Sequence, residues 1–219
     1  MSPPRRTRRT DQDTFTRTGP EAVTYDLSVR DQATIRVPVG SAWTSGPHWH
    51  DSHTEFLQVL AGRARVTLSG RIFCVGPADG AVTVPRGLVH EWRRADRKEE
   101  GYLGVAEQDQ DTGADTEEEE EEEELVVREW TEPRDGAKEM FFRNLNGIIL
   151  DATAGGGAWS DDALVTLELW NLFWRADNYP VTLGAGWVGG LATRAAMGVA
   201  VAMGWVLGRR GVYGEYGER

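Results

Sequence analysis

The residues best suited to chemistry in this chain of 219 residues are its four histidines. His48 and His50 form an H-x-H pair. On a β-strand, side chains two positions apart point to the same face, so both imidazoles can reach one point. His90 comes later, after Pro85 and Gly87, which indicate a tight bend that leads into another strand. The pattern predicts that imidazoles from separate strands converge.

Glu55 adds a carboxylate to this group. It lies five residues after His50, the wrong parity for one continuous strand, but the polar segment 51–54 indicates a kink that resets the register. Three neutral imidazoles and one carboxylate suit a borderline divalent ion. Four protein ligands leave open positions on an octahedral ion, which is typical of a reactive site. The predicted metal ligands are His48, His50, Glu55 and His90.

A single H-x-H pair is weak evidence, since a histidine on a strand is more often an ordinary polar residue. Here the strings H-x-H-x4-E-x6-G and P-x-G-x2-H occur together and in order, which favours metal binding. His53 belongs to neither string. We predict that it is a loop residue, with a contact to the metal ligands as the alternative.

The two strings resemble the two motifs of the cupin superfamily. The first is similar to G-x5-H-x-H-x3–4-E-x6-G, closed here by Gly62, and the second to G-x5-P-x-G-x2-H-x3-N. The resemblance covers residues 40–94. It departs from the motifs in a displaced leading glycine, in Asp79 at the first glycine of the second motif, and in Arg94 at the final asparagine. It implies a small jelly-roll β-barrel with the ligand set given above.

The whole layout is similar to fungal cupin-domain oxidoreductases encoded in polyketide clusters, which have a Phe-Phe-Arg-Asn-Leu helix and a Tyr-x-x-Tyr ending. Here these are residues 141–145 and the pair Tyr213 and Tyr216. The resemblance implies a metal-dependent oxidoreductase of secondary-metabolite biosynthesis that acts on a small aromatic or polyketide substrate. Fe(II) is the favoured cofactor, with Mn, Ni, Cu and Zn as alternatives. Glu55 is the candidate catalytic residue, as a ligand or, once detached, as a base.

Two other functions fit the same residues. One is a non-redox isomerase or dehydratase, in which the ion acts as a Lewis acid. The other is a non-catalytic, membrane-associated protein that binds a ligand in the barrel. An open metal site favours an enzyme over a simple binding protein.

The elements that position these residues are strands from residue 21 to 133. The run 63–68 alternates apolar and polar side chains, a turn signal follows it, and 81–84 and 125–130 have the composition of further strands. We predict a mainly β fold, a small cupin (jelly-roll) barrel followed by C-terminal helices. We expect the barrel to enclose an apolar pocket lined by Val66, Ile72, Val82, Val84 and tryptophans such as Trp49 or Trp92.

Four segments organise the chain. They are a disordered basic tail (1–20), the barrel (21–133) with an acidic loop insertion (107–124), a helical extension (134–180), and an apolar C-terminal helix with its tail (181–219). Helices over 138–150 and 161–174 are expected to pack on the outside of the barrel.

The apolar segment 183–207 is long enough to cross a bilayer and has Trp187 and Trp205 near its ends. Arg194 lies near its centre, where a charge costs about 3 kcal/mol in a single span. The sequence therefore leaves two alternatives open, a membrane-associated segment and a helix buried against the domain or in a homodimer.

Charge and cysteine content indicate which class of partner the protein binds and in which compartment it is found. The net charge of −11 comes largely from the acidic run 117–124, outside which 27 acidic residues nearly balance 24 basic ones. We therefore expect a small-molecule substrate and no nucleic acid. The single cysteine, Cys74, excludes a disulfide within the chain, and the N-terminus lacks an apolar signal segment. Both features favour an intracellular, cytoplasmic protein.

Overall fold

The computed structural model describes residues 6–95, 123–154, 163–182, 184 and 186–217. The strands of this part are β1 (Thr14–Arg17), β2 (Val23–Asp26), β3 (Gln32–Val37), β4 (His48–Trp49), β5 (Thr54–Ala61), β6 (Ala64–Leu68), β7 (Arg71–Val75), β8 (Ala81–Val84), β9 (His90–Arg94), β10 (Leu125–Glu132) and β11 (Tyr179–Pro180). The helices are α1 (Ala137–Thr153), α2 (Ala163–Arg175) and α3 (Gly186–Leu207).

The strands form two antiparallel sheets. One has the order β1-β2-β3-β10-β5-β8, and the other has the order β11-β4-β9-β6-β7. Buried side chains from both sheets and from the first two helices belong to one hydrophobic core. The predicted fold, a mainly β jelly roll followed by C-terminal helices, is confirmed.

The pairing of β5 with β10 decides which side chains face the interior. On β5 the buried positions are Glu55, Leu57 and Val59, and on β10 Val127 and Glu129 are buried at alternate positions. Because side chains of a strand alternate between faces, each carboxylate lies on the same face as apolar core residues. Two acidic side chains thus enter the barrel interior.

Helix α1 closes over the barrel and does not simply pack on its outside, as the sequence had suggested. The ring of Phe142 lies 5.1 Å from that of Tyr25 on β2. Lys138, one turn earlier, extends its ammonium group to Glu55. The long apolar stem of lysine can cross the core while its charged end reaches a carboxylate. The helical extension is therefore part of the site.

The prediction of a disordered tail over 1–20 is wrong for the part from residue 6 onward. Residues 14–17 form β1, which pairs with β2. Arg6 and Arg9 make ion pairs of 3.1 and 2.8 Å with Glu168 on α2 and Asp151 on α1. Two arginines of the predicted tail are thus paired with carboxylates of the helices. Most of the predicted acidic insertion, 107–122, lies outside the described residues.

Helix α3 is docked on the barrel by Arg194. Its guanidinium group donates to both carboxylate oxygens of Asp51, at 3.0 and 2.5 Å. It also lies over the rings of Trp49 and Tyr179, 5.3 and 5.4 Å from their centroids. The charge that would be costly in a bilayer thus has a partner on the barrel surface.

The two faces of α3 differ in their surroundings. One face is buried, and the opposite side is exposed and apolar. The buried positions are Gly189, Thr193, Met197, Ala200 and Gly204. By length and composition α3 could cross a bilayer, although only 28% of its most apolar window is buried in the protein. Membrane association therefore stays a prediction.

The docking of α3 leads to a first prediction. Replacing Arg194 with Ala removes the bidentate ion pair with Asp51 and the contacts with two aromatic rings. We therefore expect a loss of about 1 kcal/mol in unfolding free energy. Urea denaturation of the wild type, Arg194→Ala and the exposed-site control Arg210→Ala measures it. Equal midpoints for the two variants would contradict this role.

Candidate metal centre

The structure brings together all four residues that the sequence predicted as ligands. His48 on β4 lies opposite His90 on β9 in the antiparallel register. His50 follows β4, and Glu55 lies near the start of β5. All four side chains are buried, and one potential ligand atom from each lies within 4.8 Å of the others.

Backbone carbonyl groups fix the tautomer of each histidine. The Nδ1 atoms of His48, His50 and His90 lie 2.8, 2.6 and 3.1 Å from the carbonyl oxygens of Gly46, Asp177 and Leu88. A carbonyl oxygen can only accept, so each Nδ1 carries the hydrogen. The lone pair of each neutral ring is then on Nε2. Carbonyl contacts of this kind orient histidines that bind metals.

The turn after α2 holds the loop between His50 and Glu55. The carboxylate of Asp177 accepts the backbone N–H groups of Asp51, Ser52 and His53 at 3.0, 2.8 and 3.1 Å. The carbonyl oxygen of Asp177 accepts from His50. This is the physical basis of the kink at 51–54, because the loop backbone bonds to Asp177 instead of a neighbouring strand.

His53 hydrogen-bonds to two carboxylates that are not among the four predicted ligands. Its Nδ1 lies 2.7 Å from Asp177 Oδ2, and its Nε2 lies 3.2 Å from Asp135 Oδ2. Both ring nitrogens are therefore engaged by carboxylates. His53 is a loop residue that shares the partner Asp177 with His50.

Sequence reasoning missed two charged residues of the site, Lys138 and Glu129. The Nζ atom of Lys138 donates to Glu55 Oε2 at 2.6 Å and also donates to Glu129 Oε1. The other oxygen of Glu129 accepts from Trp92 Nε1 at 3.2 Å. A buried ammonium group thus bridges two buried carboxylates.

These charges shift the pKa of each partner. Burial alone would raise the pKa of Glu55, but Lys138 and the adjacent histidines lower it well below its usual range. Burial would lower the pKa of Lys138, but Glu129 and Glu55 raise it. The pKa of Glu129 is raised by burial and by the charge of Glu55, against the opposing effect of Lys138. Glu55 and Lys138 are therefore a charged pair.

The pKa values of His48 and His90 are shifted in opposite directions. Burial and the neighbouring His90 and His50 hold the pKa of His48 well below its usual range. Burial alone would lower the pKa of His90, but the Glu55 carboxylate raises it. His48 is therefore neutral at physiological pH, with a lone pair that faces the other ligands.

Strand parity is the signal that would have revealed Glu129. It has the same parity as Leu125 and Val127, so alternation alone places a carboxylate among core residues. Lys138 lies three and four residues before Phe141 and Phe142, on the apolar face of a helix. A lysine on that face, like a glutamate on a core strand face, needs a buried partner.

A cavity of about 400 Å³ lies beside the site, between the barrel and the helices. His48 and Glu129 line it together with apolar side chains of α1 and α2. The lining differs from the predicted one. Ile72 is 41% exposed, and Trp49 packs against Arg194 outside the cavity. The difference arises because α1 and α2, and not the β6–β7 hairpin, cover this part of the interior. The apolar lining residues include Ile35, Phe141, Phe142, Leu145, Ile149, Leu169 and Phe173.

The four side chains fit a divalent ion. Three imidazoles with oriented rings bring their Nε2 atoms to one place, and Glu55 lies 3.0 Å from the Nε2 atoms of both His50 and His90. A carboxylate this close to an imidazole nitrogen is stabilised by a proton or a metal ion between the two atoms. Nitrogen and oxygen donors in this ratio suit first-row divalent metals, of which Fe, Mn, Ni, Cu and Zn are the candidates named above.

Comparison with known proteins agrees with this geometry. Residues 33–102 match the family model described as "Cupin domain". The match covers about a third of the chain. Together with the two-sheet architecture, the match supports membership of the cupin superfamily. A search of curated proteins found no match.

The similar solved structures share little sequence with this chain. KdgF from Halomonas sp. is 17% identical, with 59% of this chain and 94% of that chain covered and a TM-score of 0.35. CapF, the capsular polysaccharide assembling protein of Staphylococcus aureus, is 15% identical over 56% of this chain, with a TM-score of 0.35. This chain covers only 32% of CapF. These similarities are too weak to indicate an activity.

The buried charges of the site lead to a second prediction. Lys138→Met keeps most of the side-chain volume but leaves two buried carboxylates without their cation. We expect a loss of about 3 to 5 kcal/mol in unfolding free energy. The double variant Lys138→Met/Glu129→Gln removes one of these charges and should be more stable than the single variant. Urea denaturation tests both, and a single variant as stable as wild type would contradict the charge assignment.

The turn at Asp177 leads to a third prediction. Asp177→Asn replaces one acceptor oxygen with a donor that faces backbone N–H groups, so the loop that carries His50 loses its support. We expect the metal dissociation constant to rise about 10- to 100-fold, measured by competition with a chelator. The matched control is Asp135→Asn, which alters a contact to His53 and one to the Ala137 backbone N–H but leaves the bonds of Asp177 in place. Wild-type affinity in Asp177→Asn would exclude the positioning role.

Proposed function

We propose that this cupin is a metal-dependent enzyme, an oxidoreductase that acts on a small and partly aromatic metabolite. The observation that carries the proposal is the set of three carbonyl-oriented imidazoles and one carboxylate, buried beside an apolar cavity. Open metal sites next to apolar cavities are typical of catalytic centres.

The ligands of the proposed metal are His48, His50, Glu55 and His90, which are the candidate site residues of the sequence. A divalent ion bound there, with Fe(II) favoured over Mn, Ni, Cu and Zn, would supply Lewis acidity and, if redox-active, electron transfer. Three imidazoles and one carboxylate do not complete an octahedral shell, so substrate can reach such an ion.

The chain's own residues have two tasks in this proposal. Glu55 is the candidate catalytic residue, and Lys138 holds its carboxylate in place and in the charged form. The aromatic and aliphatic side chains of α1 and α2 exclude water from the cavity and orient the substrate beside His48. The helical extension thus contributes both a charge and a wall to the reaction site.

A second candidate is a non-redox isomerase or dehydratase. The same ligand set would hold a redox-inert ion such as Zn equally well, and the substrate cavity would be unchanged. The two candidates differ in whether dioxygen or another oxidant is consumed.

Association with a membrane and a cytoplasmic location also remain proposals. The apolar side chains exposed on α3 are compatible with contact to a lipid surface or to a second copy of the chain. Neither contact is needed for the proposed reaction. The third alternative, a ligand-binding protein without activity, would use the same cavity.

Removal of one ligand gives a fourth prediction. His90→Ala or His50→Ala should lose most of the bound metal, because each substitution removes one of the four predicted ligands and leaves three to hold the ion. Elemental analysis of the purified variants measures the loss. Glu91→Gln, next to His90 on β9 but outside the ligand set, is the matched control and should keep wild-type metal content. Full occupancy in both histidine variants would exclude this site.

Reconstitution with different metals tests the function itself. The chain loaded with Fe(II) or Zn is incubated with small aromatic acids, phenols and ketones while dioxygen uptake and product formation are recorded. The oxidoreductase predicts turnover with Fe(II) that stops without dioxygen and is absent with Zn. Turnover with Zn in the absence of dioxygen would instead establish the non-redox enzyme. Tight binding without turnover under any condition would favour the binding protein.

A further inference from the structure

The hydroxyl group of Tyr25 has an unmatched hydrogen. Arg17 Nη2 donates to this oxygen at 2.7 Å, and Trp43 Nε1 donates to it at 3.1 Å. Guanidinium and indole N–H groups can only donate, so the oxygen is an acceptor in both bonds. Its own O–H still has to donate, and no acceptor for it lies within the described part of the chain. Tyr25 is only 1% exposed.

Arg17 has unused hydrogen-bonding capacity at the same place. Its Nε atom is buried and has no hydrogen-bond partner among the described residues. Neither does its guanidinium group make an ion pair with any of them, whereas Arg6 and Arg9, on the same N-terminal segment, each pair with a carboxylate. A partly buried guanidinium without a carboxylate is costly unless an anion joins it.

Both groups face the cavity of about 400 Å³ that also exposes His48. Arg17, Tyr25 and Trp43 form a patch of donors, and most of the remaining wall is apolar and aromatic. Glu21 also lines the cavity, but it is solvent-exposed and makes no ion pair with Arg17. Glu129, the other lining carboxylate, has both oxygens engaged by Lys138 and Trp92.

We propose that Arg17 and Tyr25 bind the carboxylate group of a small aromatic acid whose apolar body fills the cavity next to His48. The two oxygens of a carboxylate accept from the guanidinium and the phenol together, which satisfies the donors identified above. The volume is in the range of cavities that enclose small ligands. The role of this acid as a substrate rests on the proposed function, but its binding does not require the metal.

The alternatives to a carboxylate fit less well. A phosphate dianion would bring two charges into an apolar cavity that offers one unpaired cation. A neutral amide would present an N–H₂ group to a patch that only donates. Burial raises the pKa of Tyr25, which keeps its hydroxyl protonated as a donor. The donor patch therefore selects an oxygen anion with a single charge.

Calorimetric titration tests the assignment with two probes of the same shape, 3-phenylpropanoate and 3-phenylpropanamide. We expect the acid to bind at least about tenfold more tightly than the amide, as one charge-assisted bond implies. Because Trp43 lines the cavity, a change in tryptophan fluorescence should accompany binding. Equal affinity of the two probes, or binding of neither, would overturn the proposal.

Variants separate the two donors. Tyr25→Phe keeps the ring and removes the hydroxyl, and we expect it to weaken acid binding about tenfold with little change for the amide. Arg17→Met removes the charge and should abolish the preference for the acid. Arg30→Met, an exposed arginine outside this cavity, is the matched control. A preference for the acid that survives in both variants would contradict the assignment, and circular dichroism confirms that each variant is folded.

Metal analysis of the same preparations separates this proposal from the proposed function. If the wild-type chain prefers the acid but fails to bind metal, the proposed metal-dependent function is contradicted and the carboxylate site is supported. If the chain binds metal but has equal affinity for both probes, the carboxylate site is contradicted and the metal centre is supported.

Discussion

Glu55 is fully buried. A negative charge in the protein interior is very costly unless a cation lies close to it. Lys138 supplies that cation from α1, and the imidazoles of His50 and His90 face the same carboxylate. Because lysine is provided by a helix outside the barrel sequence, the barrel interior and the helical extension depend on each other. The ionised state of Glu55, which a metal ligand needs, follows from this contact.

The same logic connects more distant parts of the chain. Asp177, in the turn after α2, fixes both the loop before Glu55 and the ring of His50. The helices also supply most of the apolar wall of the cavity beside His48. A β-barrel alone would leave its ligand loop unsupported and its interior open. The C-terminal helices are therefore part of the candidate site and of the cavity beside it.

The mainly β fold and the convergence of the four predicted ligands could be predicted from the sequence, because strand alternation and turn residues act over a few positions. Such local patterns could not predict the roles of Lys138 and Asp177. Their partners Glu55 and His50 lie 83 and 127 positions away along the chain. Nor did local patterns show that Arg6 and Arg9 pair with helix carboxylates, because a basic run looks the same whether it is solvated or matched. Glu129 was within reach, since strand parity alone places its carboxylate among buried residues.

X-ray absorption spectroscopy of the metal-loaded protein tests the central claim most directly, because it counts the atoms bound to the ion. The account predicts three imidazole nitrogens and a carboxylate oxygen, with metal–nitrogen distances of about 2.0 to 2.1 Å for Zn. A spectrum of a largely hydrated ion, or one with fewer than three imidazoles, would contradict it. In that case the convergence of these side chains around Glu55 would serve the stability of the barrel and not a metal.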